Sequence, residues 1–219
     1  MTNKSEQEKP VTTNPQGMLK TALGDFSYIY PILAAQILDD YGIRNGKCLD
    51  IGAGPGLLGI EIARQSELKV TSLDISSEMG EIARGLARER GVQERVKILN
   101  ADVHAIPLED NYFDLIVSRG SFIFWSDKVQ AFREIYRVLK PGGVAYVGGG
   151  DGKKWPREIK DILKKLKYSI KIPLRNKFSR RWQEFNFSFD YWEEVMREAG
   201  IEEYRLMNRH LWIEISKSK

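Results

Sequence analysis

Short apolar runs alternate with amphipathic segments along most of this chain, and the alternation predicts strands and helices in turn. Runs rich in Val, Ile and Leu are typical of buried parallel strands, whereas apolar residues three and four positions apart are typical of covering helices. The apolar runs predict strands at 47–52, 69–74, 96–101, 113–118 and 143–148. The amphipathic segments predict helices at 28–41, 57–65, 78–90 and 127–139.

Beyond residue 155 the pattern is less regular. A basic helical stretch and an irregular segment at 170–188 precede a helix that ends near Gly200. Two short apolar strands, 203–208 and 210–216, follow as a predicted hairpin. Strands that alternate with helices predict an α/β fold with a mostly parallel sheet.

The composition agrees with one compact domain. A chain of 219 residues can bury a substantial core without disulfides or metals. We expect this domain to cover 18–219, after a polar arm at 1–17 that is predicted to be disordered. The single cysteine, Cys48, lies within the first predicted strand and is expected in the core. The chain has no metal-ligand spacing, secretory signal or long apolar run, so we expect no metal and a cytoplasmic protein.

A glycine-rich stretch follows the first predicted strand and reads DIGAGPG at 50–56. Its glycines allow the backbone to turn sharply and to approach a ligand at the start of the next helix. The stretch is not a GxGxxG motif, because Leu57 occupies the position of the third glycine, and glycine turns also occur for packing alone. The ligand-binding interpretation of this loop is supported by Asp74 and Asp102, which come at the ends of the second and third predicted strands.

Four ordered motifs, which together cover about residues 45–150, resemble class I S-adenosylmethionine (SAM) dependent methyltransferases. The resemblance is to the ubiquinone/menaquinone C-methyltransferase-like group, or methyltransferase type 11. The motifs are DIGAGPG (50–56), SLDIS (72–76), NADVHAIPLEDNYFDLIVSRGSFIFW (100–125) and REIYRVLKPGG (133–143). The resemblance implies an enzyme with SAM as cofactor. It also implies a Rossmann-like seven-stranded sheet, with helices on both faces and a C-terminal antiparallel β-hairpin.

The same resemblance assigns roles at the cofactor. Asp74 would accept the ribose hydroxyls, and Asp102 would accept the adenine amino group while the Val103 backbone N–H meets the ring. The alternatives are a helix cap for Asp74 and an ordinary turn for Asp102. The remaining cofactor-binding candidates are Asp50, Gly52, Ala53, Gly54, Gly56, Ile75, Met79, Ser118 and Arg119. Ile75 and Met79 would flank the adenine or belong to the core.

Methyl transfer from a sulfonium requires alignment more than a dedicated catalytic group, so no catalytic signature is obligatory. Candidates for a base or an orienting group lie on loops at the carboxyl ends of the strands. They are Tyr28, Tyr30, Asp151, His104, His210 and the aromatic segment from Arg119 to Trp125. For both histidines a polar or structural role is the alternative.

Positive charge is concentrated in one segment. Residues 153–181 contain 12 Lys and Arg against 2 Asp and Glu, whereas the rest of the chain has 22 and 28. With the aromatic residues up to 189, this region is either a solvated helix face, a lid over a small acceptor, or a nucleic-acid surface. The aromatic residues interleave with the charges and the chain has no RNA-binding module, which favours the lid. We therefore expect transfer to a small, aromatic or anionic acceptor. The alternatives are methylation of RNA or another macromolecule, and SAM binding without transfer.

Overall fold

The computed structural model describes residues 23–24, 27–149, 188–207 and 211–219. Its strands are β1 (Lys47–Ile51), β2 (Lys69–Asp74), β3 (Val96–Asn100), β4 (Phe113–Arg119), β5 (Leu139–Gly148), β6 (Tyr204–Met207) and β7 (Trp212–Ser216). They form one seven-stranded sheet in the order β3-β2-β1-β4-β5-β7-β6. Strands β1 to β5 are parallel, and β7 is antiparallel to both β5 and β6. The predicted mostly parallel sheet with a closing hairpin is confirmed.

The helices within the described ranges are α1 (Ile29–Tyr41), α2 (Leu57–Gln65), α3 (Ser77–Glu89), α4 (Lys128–Val138) and α5 (Phe189–Ala199). Side chains cap two of them, since Ser76 accepts the Met79 N–H at 3.3 Å and Asp127 accepts the Gln130 N–H at 2.9 Å. Helix α1 ends at Gly42, whose left-handed backbone is typical of a helix C-terminus. No helix in these ranges has the length and apolar character needed to cross a membrane.

Each face of the sheet is covered by its own hydrophobic cluster, because side chains alternate along a strand. In β1, Leu49 and Ile51 pack on the side of α4 and α5, together with Phe132 and Trp192. Cys48 points to the opposite side, where α1, α2 and α3 pack. Helices on both faces are therefore confirmed, and so is the position of Cys48 in the core.

Strand β5 differs from its prediction. It begins at Leu139 rather than at residue 143, because Leu139 pairs with Phe113 before the register shifts and Leu115 pairs with Val144. The additional residues form an irregularity in the strand, of the kind that bulges produce.

The C-terminal strand begins slightly later than predicted. The last strand begins at Trp212, two residues after the predicted start at His210. His210 itself lies outside the described residues, as do the predicted arm at 1–17, the basic segment 153–181 and Asp151.

The strand order predicts a ligand-binding crevice outside the carboxyl ends of the two central strands, β1 and β4. Strands β1 and β4 are neighbours, but the chain continues from β1 toward β2 on one side and from β4 toward β5 on the other. Ligands of open parallel sheets bind outside the carboxyl ends of the strands at such a reversal. The glycine loop, Asp74, Asp102 and Arg119 all lie at or just beyond these strand ends.

Candidate functional site

The glycine loop after β1 is shaped largely by packing. Gly52 has a positive φ of 60°, and a Cβ there would lie 2.2 Å from the Cβ of Ser121. Gly56 precedes α2 with φ 75°, and its Cβ would meet that of Ala83 at 3.0 Å. These two glycines are explained without a ligand, which was the alternative that the sequence left open. Ala53 and Gly54 are the loop residues that line the cleft described below.

Asp50 lies beneath this loop rather than on its surface. The residue is 2% exposed, and its Oδ2 accepts the backbone N–H of Gly59 in the first turn of α2 at 2.9 Å. The pKa of Asp50 is raised to about 7, mainly by burial. The Gly59 hydrogen bond lowers this pKa, and the nearby Asp74 carboxylate raises it; the value of about 7 is the result of all three. The structure shows Asp50 supporting the start of the helix, and its role toward a cofactor remains a prediction.

Asp74 lies at the end of β2 and connects two loops. Its Oδ2 accepts the Gly54 N–H at 2.7 Å, and its Oδ1 accepts the Ser76 N–H at 2.9 Å. The side-chain cap of α3 is Ser76, so the alternative of Asp74 as a helix cap is not needed. Asp74 therefore presents a half-buried carboxylate beside the glycine loop.

A cleft of about 140 Å³ adjoins Asp74. Its lining includes Gly54, Ser72, Asp74, Ser76 and Asn100. The Ser72 hydroxyl is buried and has no hydrogen-bond partner among the described residues. Pockets for complete small ligands usually measure about 300–1,000 Å³, so this cleft accommodates only part of a nucleoside.

The two apolar residues near Asp74 have different environments. Ile75 is 62% exposed, directly after the end of β2, whereas Met79 is 2% exposed within α3. An exposed isoleucine beside a carboxylate suits the flat face of a base. The burial of Met79 instead supports the core alternative that the sequence left open.

Asp102 is on the loop after β3, the strand beside β2. Its side chain is 48% exposed, and its Oδ1 accepts the backbone N–H of His104 at 2.9 Å and lies 2.5 Å from His104 Nδ1. Val103 is buried in the cluster beneath, which anchors the loop. The turn that Asp102 stabilises is thus present, and the second carboxylate oxygen, Oδ2, has no partner among the described residues.

Sequence reasoning missed the contacts that hold this loop. Glu134 of α4 accepts the Ile106 N–H at 2.8 Å, while Arg137 donates to the carbonyl oxygens of Ile106 and Leu108 at 2.8 and 2.9 Å. Arg137 also pairs with Glu134 and Asp110. Both helix residues belong to the REIYRVLKPGG motif, so the sequence marked them as part of the family pattern. It did not show that they bind the backbone of a different motif, the one at 100–125.

At the end of β4, Arg119 meets the start of α1. The Arg119 guanidinium donates to the Tyr30 hydroxyl at 3.5 Å and lies 5.1 Å from the centre of the Tyr30 ring. Tyr28, half-buried, directly precedes α1. Ser118 is fully buried, with its hydroxyl 2.6 Å from that of Ser121. Of the catalytic candidates, Arg119 is thus in contact with Tyr30 at the end of β4, and Tyr28 lies two residues before Tyr30 in the chain.

Most of the aromatic segment after Arg119 lies in the core rather than at the crevice where we expected it, and Phe124 is half-buried. Phe122 and Trp125 are 0% and 6% exposed, and their rings pack against Trp192 and Phe132 beneath α4 and α5. Their large apolar surface is better buried in the core than presented to a ligand. His104, the other candidate, lies beside Asp102.

The arrangement fits a nucleoside with an amino acid attached. Carboxylates at the ends of β2 and β3 suit the hydroxyl and amino donors of adenosine, and the exposed Ile75 suits its ring. Ala53 and Gly54 lie in the glycine loop, and Ser118 and Arg119 lie at the end of β4. Among the described residues no cluster of His, Cys, Asp and Glu has the arrangement of a metal site.

Comparison with known proteins agrees with this arrangement. Residues 49–147 match a family model described as a methyltransferase domain. The ubiquinone/menaquinone biosynthesis C-methyltransferase UbiE of Idiomarina loihiensis is 38% identical over 109 residues, 48% of this chain and 43% of that protein. The UbiE protein of Francisella philomiragia is 30% identical over 181 residues, 80% of this chain and 69% of that protein.

A solved structure is similar over almost the whole chain. It is a candidate SAM-dependent methyltransferase from Methanococcus maripaludis, 41% identical with a TM-score of 0.80, and the match covers 94% of this chain and 92% of that one. The sequence matches are less extensive, since this chain spans under half the length of the first UbiE relatives it matches.

Proposed function

The chain belongs to the class I SAM-dependent methyltransferases of the UbiE-like type, and from this premise we propose that it transfers a methyl group from SAM to a small acceptor. The observation that carries the proposal is the pair of carboxylates at the ends of β2 and β3, beside the glycine loop and the exposed Ile75. SAM supplies a methyl group that its sulfonium already activates.

Each part of the crevice has a role in this proposal. Asp74 accepts the ribose hydroxyls, Asp102 accepts the adenine amino group, and Ile75 packs on the base. The methionine end lies over Ala53 and Gly54, near the end of β4. The glycine-rich loop brings these groups within one crevice, so the chain's main contribution is to bind the cofactor and to orient it toward the acceptor.

The acceptor site lies where Arg119 and Tyr30 meet. A half-buried guanidinium on an aromatic ring suits an acceptor with a carboxylate or phosphate group, or with an aromatic ring. Tyr30 orients the acceptor there through the hydroxyl that accepts from Arg119, and Tyr28, two residues earlier, is the second tyrosine assigned to this role. Burial raises the pKa of Tyr30, so its hydroxyl stays protonated and acts as a hydrogen-bonding group rather than as a base.

The experiment that tests this function measures cofactor binding first. S-adenosylhomocysteine at about 100 times its dissociation constant should add about 2.7 kcal/mol of stability, or roughly 5–10 °C in Tm, and NAD should not. The variant Asp74→Asn keeps only one of the two oxygens that accept the Gly54 and Ser76 N–H groups and loses the charge, so its affinity per folded molecule should fall about tenfold or more. A response to NAD alone, or unchanged affinity in Asp74→Asn, would contradict the proposal.

Turnover then separates the alternatives. Formation of S-adenosylhomocysteine with a panel of carboxylate, phosphate and aromatic metabolites is expected, and total RNA serves as the competing acceptor. Turnover on RNA alone would favour the basic segment at 153–181 as a nucleic-acid surface. Tight cofactor binding with no turnover on either would favour a binding protein.

A further inference from the structure

His104 makes contacts on both of its ring nitrogens, and they connect Asp102 to a helix. On one side, Nδ1 lies 2.5 Å from Asp102 Oδ1. On the other, Nε2 accepts the backbone N–H of Asp127 at 3.2 Å. Because a backbone N–H only donates, Nε2 carries no proton in this arrangement, and the proton of the neutral ring is on Nδ1, directed at the carboxylate.

The first turn of α4 holds His104 in place. Asp127 is the N-cap of α4, so the N–H that binds Nε2 belongs to a fixed helix end. Gln130 in the first turn of the same helix donates to the His104 carbonyl oxygen at 3.1 Å. The His104 side chain is 21% exposed, against 48% for Asp102. An otherwise solvent-exposed carboxylate is thus held by a partner that the helix immobilises.

The two His104 donors both occupy the same oxygen of Asp102. Oδ1 accepts the His104 N–H as well as the ring, and Oδ2 has no partner in the described part of the chain. Two donors on one oxygen fix the plane of the carboxyl group, so the direction of Oδ2 is fixed too. A hydrogen bond gains from such a pre-arranged acceptor, because less side-chain freedom is lost on binding.

We propose that His104 is a positioning residue, which holds Asp102 so that Oδ2 accepts the exocyclic amino group of adenine and thereby selects adenine over 6-oxopurines. The inference rests on the proposed function, since it concerns the same cofactor site. Discrimination follows from the chemistry of the two bases. An amino group donates to the carboxylate, whereas a 6-oxo group places a second acceptor against it, and the unpaired acceptor costs affinity.

The test compares S-adenosylhomocysteine with its deaminated form, S-inosylhomocysteine, by calorimetry. The wild-type chain should prefer the adenosine form by about tenfold to a hundredfold, as expected for a hydrogen bond to a charged group. In His104→Gln, the amide extends toward the Nε2 position, so Asp102 Oδ1 keeps only the backbone N–H of residue 104 as a donor and the carboxyl group is held less firmly. The preference should then fall to about threefold or less. In His104→Asn, the amide occupies the Nδ1 position and should preserve most of the preference.

The ratio of the two affinities distinguishes the possible roles of His104. If His104→Gln loses affinity for both nucleosides equally and keeps the wild-type preference, His104 is merely structural. That result would overturn the inference and leave the proposed function standing. Loss of the preference in both variants would also overturn it, because the Asn amide was expected to replace Nδ1 as the donor to Asp102 and so to preserve the preference. A wild-type chain that binds neither nucleoside would overturn the proposed function together with the inference.

Discussion

The two loops beside the proposed nucleoside site are held by different means. The loop at 52–56, after β1, is held mainly through backbone groups: Gly56 N–H donates to Ala53 O at 2.9 Å, and Ala53 N–H donates to Leu73 O of β2 at 3.0 Å. One side chain also holds it, since Asp74 accepts the Gly54 N–H. The loop at 101–112, after β3, is held by side chains that reach it from α4, above all Glu134 and Arg137.

This difference predicts how each loop tolerates change. A backbone-built loop depends on shape, so an added side chain disturbs the fold itself. A loop held by side chains depends on particular donors and acceptors, so their loss releases the segment while the sheet persists. We therefore expect changes at the first loop to act mainly on stability, and changes at the second to act on stability and on nucleoside binding.

The largest effect is expected for Gly52→Ala. The left-handed backbone costs a non-glycine residue about 1–2 kcal/mol, and the Cβ would lie 2.2 Å from that of Ser121. Together these should lower the free energy of unfolding by about 3 kcal/mol, measured by urea denaturation. Gly42→Ala is a matched control, with φ 67° and nothing within 4 Å of its Cβ, and should cost only about 1 kcal/mol. Equal losses in the two variants would refute the close contact.

A smaller loss is expected for Arg137→Met. The change removes the donors to Ile106 O and Leu108 O and leaves Glu134 without its ion pair, at a cost of about 2 kcal/mol. Because the freed loop carries Asp102, affinity for S-adenosylhomocysteine per folded molecule should also fall. Both quantities are measured on the same variant, by urea denaturation and calorimetry.

Arg133→Met is the control for this variant. Arg133 lies on the same helix but donates to the exposed carbonyl oxygen of Glu198, away from the loop. It should change stability by less than about 0.5 kcal/mol and leave the affinity unchanged. If Arg137→Met loses stability with full affinity, the loop does not need α4 for binding.

The smallest effect concerns the pH dependence at Asp50. Its folded-state pKa of about 7 lies above the ordinary 3.8, so folding favours the protonated carboxyl and its contribution to stability is lost as the pH rises toward 7. Asn cannot titrate. Between pH 6 and pH 7 the wild-type chain should therefore lose about 1 kcal/mol relative to Asp50→Asn. Parallel stability profiles for the two proteins would show that Asp50 does not titrate in this range.

Much of the fold and of the candidate site is readable from the sequence, because it depends on residues close together along the chain. The apolar runs predicted five strands with small errors at their ends, and Asp127 with Gln130 marks the start of α4 by local capping. Parallel topology places Asp74 and Asp102 at the same end of the sheet, because each follows a strand, whereas the strand order that makes those strands neighbours comes from the structure. The resemblance of the four motifs added the family, which the comparisons confirm.

Contacts between residues far apart in sequence were decided only by the tertiary structure. Gly52 is required because Ser121 packs against it, and Arg137 matters because the Ile106 and Leu108 carbonyls lie within its reach. The exposure of Ile75 and the burial of Met79 likewise depend on which helix face meets the sheet. Local patterns specify which residues form an element, whereas packing in three dimensions determines which atoms of different elements meet.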